Sequence, residues 1–289
     1  MRYEGPVYRP PSEAESYLLH VTYGCSHNLC GFCAMYRHKR FRVRPLEEVR
    51  EDVAAAGRAF PATDKVFLLD GDAMTLAPGR LRPVLDALRA AFPRLRRVGA
   101  YANASSVLDK SDAELLDLRA AGLGILYFGL ESGDDATLRR IEKGATAAQV
   151  AEAVTRSKGA GIKTSVMGLL GIAGRERWRE HADATARVAS AMSPRFLSFL
   201  TATPVPGTPF FEETAAGRVT LPTPAETLEE LEAVLAGLAC DGTVFRSNHA
   251  SNWLPLAGRL PQDKARLLAE VGAARRGELG LRSSWQRGL

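Results

Sequence analysis

Three of the chain's four cysteines fall within nine residues, and this feature most constrains what the chain can fold into. Cys25, Cys30 and Cys33 directly follow a short apolar run, residues 16–22, which is typical of a buried strand. Three thiolates on one loop can hold three corners of an iron–sulfur cluster and leave one metal position open. An iron without a protein ligand can bind a small molecule, so the spacing favours a reactive cluster.

A zinc site is the main alternative for these cysteines. Structural zinc is nearly always four-coordinate, so the trio would need one further ligand. The candidates for that ligand are His20, His27, His38 and Cys240. The usual zinc signature of two separated ligand pairs is missing from the sequence. Disulfides are disfavoured, because the trio is odd in number and the N-terminus carries no hydrophobic signal core.

Strand and helix patterns alternate along most of the sequence. Strands are predicted at residues 16–22, 66–69, 97–101, 125–130, 163–167 and 196–200. Helices are predicted between them at residues 45–57, 80–91, 112–121, 147–158 and 177–192. Strands that alternate with helices require crossover connections and therefore predict a parallel sheet.

Polar and glycine-rich segments come at the carboxyl ends of these predicted strands, where (β/α) barrels place their active sites. The segments are Cys25, 70–72, 103–106, 131–133, 168–171 and 203–204. We therefore predict an α/β fold, a partial (β/α)6 TIM-type barrel with a C-terminal extension of helical and extended segments. The expected divisions are an N-terminal extension 1–15, a core 16–205 and an extension 206–289 that closes the barrel, with helices at 224–238 and 261–275.

The segment from Thr22 to Cys33 resembles the cluster-binding loop of the radical S-adenosylmethionine (SAM) enzymes. The resemblance implies that the three cysteines bind a 4Fe–4S cluster and that SAM chelates its unique iron. It also places Phe32 near the adenine. The C-x4-C-x2-C spacing departs from the commonest pattern, which has three residues between the first two cysteines. The resemblance covers roughly residues 16–205 and is closest to the branch of methylthiotransferases and anaerobic coproporphyrinogen oxidase-like proteins.

The same resemblance suggests SAM-binding residues after the later strands. Asp70, Gly71 and Asp72 occupy the place of the family's glycine-rich motif, which meets the SAM amino group. Glu131 is expected to contact SAM, with Lys143 facing the carboxylate of SAM and Met167 beside its adenine. Asn103 or Ser105 would hydrogen-bond the ribose or the carboxylate, or else cap the next turn. The alternatives are an ordinary Asp-Gly-Asp turn, an exposed helix-end lysine and a plain core strand at 166–171.

The implied function is that of a radical SAM enzyme. Its cluster reductively cleaves SAM to a 5′-deoxyadenosyl radical, which abstracts hydrogen from an unidentified substrate. A zinc-dependent RNA-binding module and a noncatalytic SAM- or cluster-binding regulator are the alternatives. The catalytic residues are unknown, and the candidates are Cys240 and Asn248. Cys240 would be a radical relay or an accessory ligand, or else simply a packed thiol. Asn248 lies in the polar segment 246–253.

Charge and hydropathy bear on partners and location. The net charge of +5 includes a basic run at residues 36–44, which reads as a solvated turn or as a surface for an anionic substrate or electron donor. Nucleic acid is not favoured as a partner, and a flavodoxin- or ferredoxin-like reductant is expected. No apolar run reaches the roughly 20 residues that cross a bilayer, so a cytoplasmic enzyme without membrane contact is expected.

Overall fold

Parallel strands joined by helices make up most of residues 2–287, which are the residues that the computed structural model describes. The strands are β1 (Tyr17–His20), β2 (Thr22–Tyr23), β3 (Arg42–Val43), β4 (Lys65–Leu69), β5 (Arg97–Tyr101), β6 (Leu123–Glu131), β7 (Lys163–Leu170), β8 (Phe196–Thr201), β9 (Thr243–Ser247) and β10 (Leu256–Leu260). The helices are α1 (Leu46–Ala59), α2 (Pro78–Ala91), α3 (Ala104–Leu108), α4 (Asp112–Ala120), α5 (Asp135–Arg140), α6 (Ala147–Gly159), α7 (Trp178–Met192), α8 (Pro209–Ala215), α9 (Pro224–Gly237) and α10 (Lys264–Arg275).

The main sheet has eight strands in the order β1-β4-β5-β6-β7-β8-β9-β10, and β2 pairs with β3 in a separate small sheet. β1, β4, β5 and β6 pair in parallel, as do β7, β8 and β9, whereas β10 runs antiparallel to β9. All six predicted strands form and follow one another in this order, which confirms the predicted parallel α/β class. Each predicted crossover helix also forms, with ends shifted by a few residues.

The sequence missed β9 and β10, which lie in the segment expected to be a helical and extended extension. Phe196 of β8 lies opposite Val244 of β9, so the main sheet continues into that segment. The expected divisions at 1–15, 16–205 and 206–289 stay a prediction. Met1, Gly288 and Leu289, at the outer ends of those divisions, lie outside the described residues.

The chain forms two compact units, and the first takes in the chain up to Asn28, Met35–Phe128 and Glu152–Thr164. Its core is apolar, with the ring of Phe67 edge-on to that of Tyr101 at 5.1 Å between centroids. Glu13, from the N-terminal segment, is fully buried in this unit and accepts hydrogen bonds from Ser16 at 2.5 Å and Arg97 at 2.6 Å. A buried carboxylate needs such partners, so they fix the N-terminal segment in place.

The second unit comprises Leu29–Ala34, Gly129–Ala151 and the chain from Ser165 on. In it α9 packs against both α7 and α10. Thr223 begins α9 with a capping box, in which its hydroxyl accepts from Glu226 N at 3.3 Å, as its predicted N-cap position requires. Among residues 2–287, no helix combines the length and the apolar character needed to cross a membrane.

Candidate functional site

The first cysteine of the loop, Cys25, lies in the first unit just after β2. Two hydrogen bonds hold the residue before it: Gly24 N donates to Asp70 Oδ2 at 3.0 Å, and Gly71 N donates to Gly24 O at 3.1 Å. Asn103 reaches the same place, with its Nδ2 4.0 Å from the Cys25 sulfur. The segment after β4 therefore contacts the start of the cysteine loop, at Gly24 and Cys25.

Asp70 is fully buried, and its two carboxylate oxygens have partners within the protein. His20 Nε2 donates to Oδ1 at 3.1 Å, and Lys39 Nζ donates to Oδ2 at 2.9 Å. Burial alone would raise the pKa of Asp70, but the hydrogen bonds from His20, Lys39 and Gly24 outweigh it and hold that pKa below its usual value. Asp70 is thus a buried anion stabilised by hydrogen bonds from His20, Lys39 and Gly24.

Asp72 is also fully buried, and no Lys or Arg among residues 2–287 forms a direct ion pair with it. Its Oδ2 accepts from Ser26 at 2.7 Å, Ser106 at 2.5 Å and Asn103 Nδ2 at 3.1 Å. Burial is the largest influence and raises the pKa of Asp72, despite these hydrogen bonds. Contact of Asp70 and Asp72 with SAM stays a prediction, and the structure gives both carboxylates protein partners.

The other two cysteines belong to the second unit, in a short turn where Cys33 N donates to Cys30 O at 3.1 Å. Gly31 fixes this turn, because its N–H donates to Ile141 O at 2.7 Å and its carbonyl accepts from Phe210 N at 2.9 Å. Phe32 is half-buried. All four cysteines are thiols rather than disulfides, and the three of the loop are half-buried. Thiols in this state can be deprotonated and bind metal.

Glu131 ends β6 with a backbone φ of 61°, in the left-handed region that non-glycine residues rarely adopt. Only 3% of the residue is exposed, and its Oε1 accepts from Lys143 Nζ at 2.9 Å. The second oxygen, Oε2, is buried without a hydrogen-bond partner among the described residues. Gly129 makes room for the pair, since a Cβ there would lie 1.9 Å from Glu131 Oε1. A ligand contact at Glu131 stays a prediction, and it is supported by the strained backbone and by a carboxylate oxygen that has no partner among residues 2–287.

Ser132, the residue after Glu131, belongs to a buried cluster with His181 and Glu230. His181 Nδ1 lies 2.8 Å from Ser132 Oγ, and its Nε2 lies 3.1 Å from Glu230 Oε1, off the hydrogen-bonding direction. The two oxygens of Glu230 accept from Gly171 N at 3.0 and 3.1 Å. This cluster therefore joins the turn after β6 to the turn after β7 through α7 and α9.

Asp134 completes the turn after β6. Its carboxylate caps α5 by accepting from Thr137 N at 3.0 Å and pairs with Arg177 Nε at 3.0 Å. Burial opposes its charge, but Arg177 and Thr137 outweigh burial and hold the pKa of Asp134 well below its usual value.

Other predicted residues lie in varied surroundings. Ser105 is exposed on α3, and its neighbour Ser106 makes the polar contact instead. Met167 is half-buried in β7, and Asn248 is exposed after β9. Cys240 is buried with its sulfur 3.4 Å from Ala189 O, which supports the packing alternative.

The basic run at 36–44 is only partly a solvated turn. Lys39 is buried against Asp70, and Arg44 is buried with hydrogen bonds to Asp52 Oδ2 and His20 O, both at 2.9 Å. Arg37, Arg40 and Arg42 are exposed. Two cations of the run therefore hold the fold together rather than face a partner.

Several residues of these contacts were not singled out from the sequence as site residues: Ser26, Lys39, Ser106, Ser132, His181 and Glu230. His20 was considered only as a zinc ligand, although its nitrogen faces Asp70. A histidine that ends an apolar strand was the one available signal, because buried polar groups need partners. The other residues contact partners 31 to 59 positions away in the sequence, as Lys39 contacts Asp70 and Glu230 contacts Gly171.

A largely parallel α/β sheet with a three-thiol loop after its first strand is the arrangement of cluster-binding partial barrels. Similarity to known proteins identifies the family. The family model of the radical SAM superfamily matches residues 19–184, more than half of the 289 residues. The chain therefore belongs to the radical SAM superfamily, and the cofactors of that family are a 4Fe–4S cluster and SAM.

The chain is also similar to individual known proteins. A protein of Pyrococcus horikoshii named an uncharacterized methyltransferase is 27% identical over 205 residues, covering 68% of this chain and 42% of that protein. The radical SAM methyltransferase TsrM of Kitasatospora setae, solved with cobalamin and a 4Fe–4S cluster, superposes with a TM-score of 0.57 at 22% identity, over 70% of this chain and 39% of TsrM. Coproporphyrinogen III oxidase of Escherichia coli gives a TM-score of 0.55 at 17% identity, over 76% and 51%.

These solved structures confirm the predicted partial-barrel fold. The chain spans about two fifths of the length of the first two relatives, 42% and 39%. The residues present fit the family's cofactors, since the loop supplies three thiols and Glu131 offers a buried carboxylate oxygen without a partner in the described part of the chain. Within residues 2–287, no three Cys, His, Asp or Glu side chains are already arranged as a metal site, and ligation by Cys25, Cys30 and Cys33 is a prediction from the sequence.

Proposed function

We propose that this chain is the catalytic core of a radical SAM enzyme whose cluster is held by Cys25, Cys30 and Cys33. The observation that carries the proposal is the three-thiol loop inside the segment that matches the family. When bound, the cluster supplies the electron for reductive cleavage of SAM to methionine and a 5′-deoxyadenosyl radical that takes hydrogen from the substrate. The protein's part is to bind and orient SAM and to exclude water.

Glu131 and Lys143 are the residues that we assign to SAM. The unpaired Oε2 of Glu131 can accept a hydrogen bond from a ribose hydroxyl, which would satisfy a buried acceptor. Lys143, 2.9 Å from the other oxygen, can turn toward the SAM carboxylate without leaving its ion pair. Phe32, Met167, Asn103 and Ser105 are retained as proposed contacts of the nucleotide, with the placements described above.

Radical SAM enzymes need a substrate and a reductant. For this chain we propose a flavodoxin- or ferredoxin-like donor, because the exposed Arg37, Arg40 and Arg42 would attract an acidic protein. We further propose a cytoplasmic location, which suits an oxygen-sensitive cluster. Asn248, exposed after β9, is kept as a proposed substrate contact.

The proposal is tested by anaerobic reconstitution with iron and sulfide, followed by SAM and dithionite. We expect about four iron atoms per chain and formation of 5′-deoxyadenosine, measured by iron analysis and chromatography. Colourless protein with bound zinc would favour the zinc-dependent RNA-binding module. A cluster without any 5′-deoxyadenosine would favour the noncatalytic regulator.

Methyl transfer is a second candidate reaction, favoured by the methyltransferase name of the relative at 27% identity. SAM with an isotopically labelled methyl group distinguishes the two reactions. Hydrogen abstraction leaves the label in methionine, whereas methyl transfer moves it to the substrate.

We expect Glu131→Gln to weaken SAM binding about 10–100-fold, because a hydrogen bond to a charged acceptor is worth about 1.5–3 kcal/mol. The affinity is measured by titration calorimetry on the reconstituted protein, whose iron content should match that of wild type. Glu152→Gln, an exposed position on α6, is the control and should bind SAM normally. An unchanged affinity of Glu131→Gln would remove this residue from the SAM site.

A further inference from the structure

Two three-residue segments of the first unit face each other, Gly24-Cys25-Ser26 and Asp70-Gly71-Asp72. The outer residues pair in order. Asp70 Oδ2 accepts from Gly24 N at 3.0 Å, and Asp72 Oδ2 accepts from Ser26 Oγ at 2.7 Å. A third bond, Gly71 N to Gly24 O at 3.1 Å, joins the two backbones. The residues on both sides of Cys25 are thus held by the residues on both sides of Gly71.

The central pair is in close contact. A Cβ on Gly71 would lie 2.7 Å from the Cys25 Cβ, 3.1 Å from its sulfur and 2.9 Å from the Tyr36 ring. The two carbon–carbon contacts are shorter than 3.0 Å, a distance that real Cβ atoms essentially never show, so any side chain larger than hydrogen at position 71 must displace Cys25 or Tyr36. Position 71 must be glycine because the two segments approach each other so closely. The space left by the glycine is occupied by Cys25 and Tyr36.

Asp70 also ties the segment that follows the cysteine loop. Its Oδ2 accepts from Lys39 Nζ as well as from Gly24 N, at 2.9 and 3.0 Å. Lys39 and Gly24 lie on opposite sides of the loop in the sequence, so one buried oxygen holds both ends. His20, on Oδ1, keeps the carboxylate in orientation.

We propose that Asp70-Gly71-Asp72 is a preformed seat for Cys25, with Asp70 and Asp72 acting as positioning residues and Gly71 as the contact surface. The inference rests on the proposed function in that Cys25 is a cluster ligand. A loop that is ordered before its ligand arrives loses less conformational entropy on binding. The polar partners that fix the two carboxylates to the loop explain why buried acids flank this glycine.

The first test measures the thiol in the protein before reconstitution. Ser26→Ala removes the hydrogen bond to Asp72 Oδ2 and the one that Ser26 Oγ accepts from Asn103 Nδ2 at 3.2 Å, without crowding Cys25. We expect the alkylation of Cys25 by iodoacetamide to rise about 5–30-fold relative to Cys33, the range that matches one or two lost hydrogen bonds. Mass spectrometry of the peptides measures both rates. The readout needs no cluster, so it separates the seat from the proposed function.

The second test measures cluster uptake. Gly71→Ala is expected to lower iron incorporation at least tenfold in the absence of SAM, while Gly79→Ala, on α2 with no atom within 4 Å of the added methyl group, should behave as wild type. Circular dichroism establishes that both variants fold.

The outcomes decide between the possible roles. Wild-type thiol reactivity in Ser26→Ala together with wild-type iron content in Gly71→Ala would overturn the proposal, and so would an intact cluster with only SAM affinity reduced, which assigns the segment to SAM. If wild type takes up no cluster but Ser26→Ala still exposes Cys25, the seat stands and the proposed function fails.

Discussion

Replacing Cys30 with alanine is expected to abolish both the cluster and the formation of 5′-deoxyadenosine. A 4Fe–4S cluster with one open iron depends on all three thiolates, and two leave a second iron without a protein ligand. Cys30 is the informative choice because it lies on a backbone turn with Cys33, so its loss leaves the Gly31 contacts with Ile141 and Phe210 in place. Iron content should fall to background, and product should fall at least about 100-fold.

Cys240→Ala is the matched control for this experiment. Its thiol is buried against Ala189 O, and removing it should cost little beyond a small cavity, with the cluster and the product retained. A Cys30→Ala protein that kept full activity would contradict the ligation that we propose. If Cys240→Ala kept the cluster but lost the product, Cys240 would be a radical relay, which is one of the roles considered for it from the sequence.

The fold could be predicted because its signals are local. The strand at 97–101 has the predicted bounds, and Thr223 caps α9 as expected, since apolar runs and capping residues act over a few positions. β9 and β10 were missed because they are short strands beside a polar segment, 246–253, in which Arg246 and Asn248 are exposed. Their place in the sheet is decided by pairing with β8, which no local pattern encodes.

The candidate site was predicted less completely for the same reason. The cysteine loop and the residues after each strand could be named, because parallel strands bring their carboxyl ends to one edge. The partners of those residues could not, since Asp70 is held by His20 and by Lys39, 50 and 31 positions away. Glu131 is an example. Its place at the carboxyl end of a strand was predicted from the sequence. Its left-handed backbone, and the oxygen without a partner among the described residues, depend on its three-dimensional surroundings.

The second large effect is expected for Glu230→Ala, which should lower the free energy of unfolding by about 3–5 kcal/mol, the combined cost of an unsatisfied buried donor and a cavity. Glu230 is fully buried on α9, and its two oxygens accept from Gly171 N while Oε1 lies 3.1 Å from His181 Nε2. Removing the carboxylate leaves the buried Gly171 N–H without its acceptor and opens a cavity beside His181. Urea unfolding of the wild type and the variant measures the difference.

Glu229→Ala is the control for this prediction, because it changes the neighbouring residue of the same helix, whose side chain is 42% exposed, and surface ion pairs contribute little. Its free energy of unfolding should stay within about 0.5 kcal/mol of wild type. Glu230→Gln keeps the shape and one acceptor, so it should fall between the two. If Glu230→Ala were as stable as Glu229→Ala, the contacts with His181 and Gly171 would not stabilise the fold, and α9 would not hold the turns after β6 and β7 through this side chain.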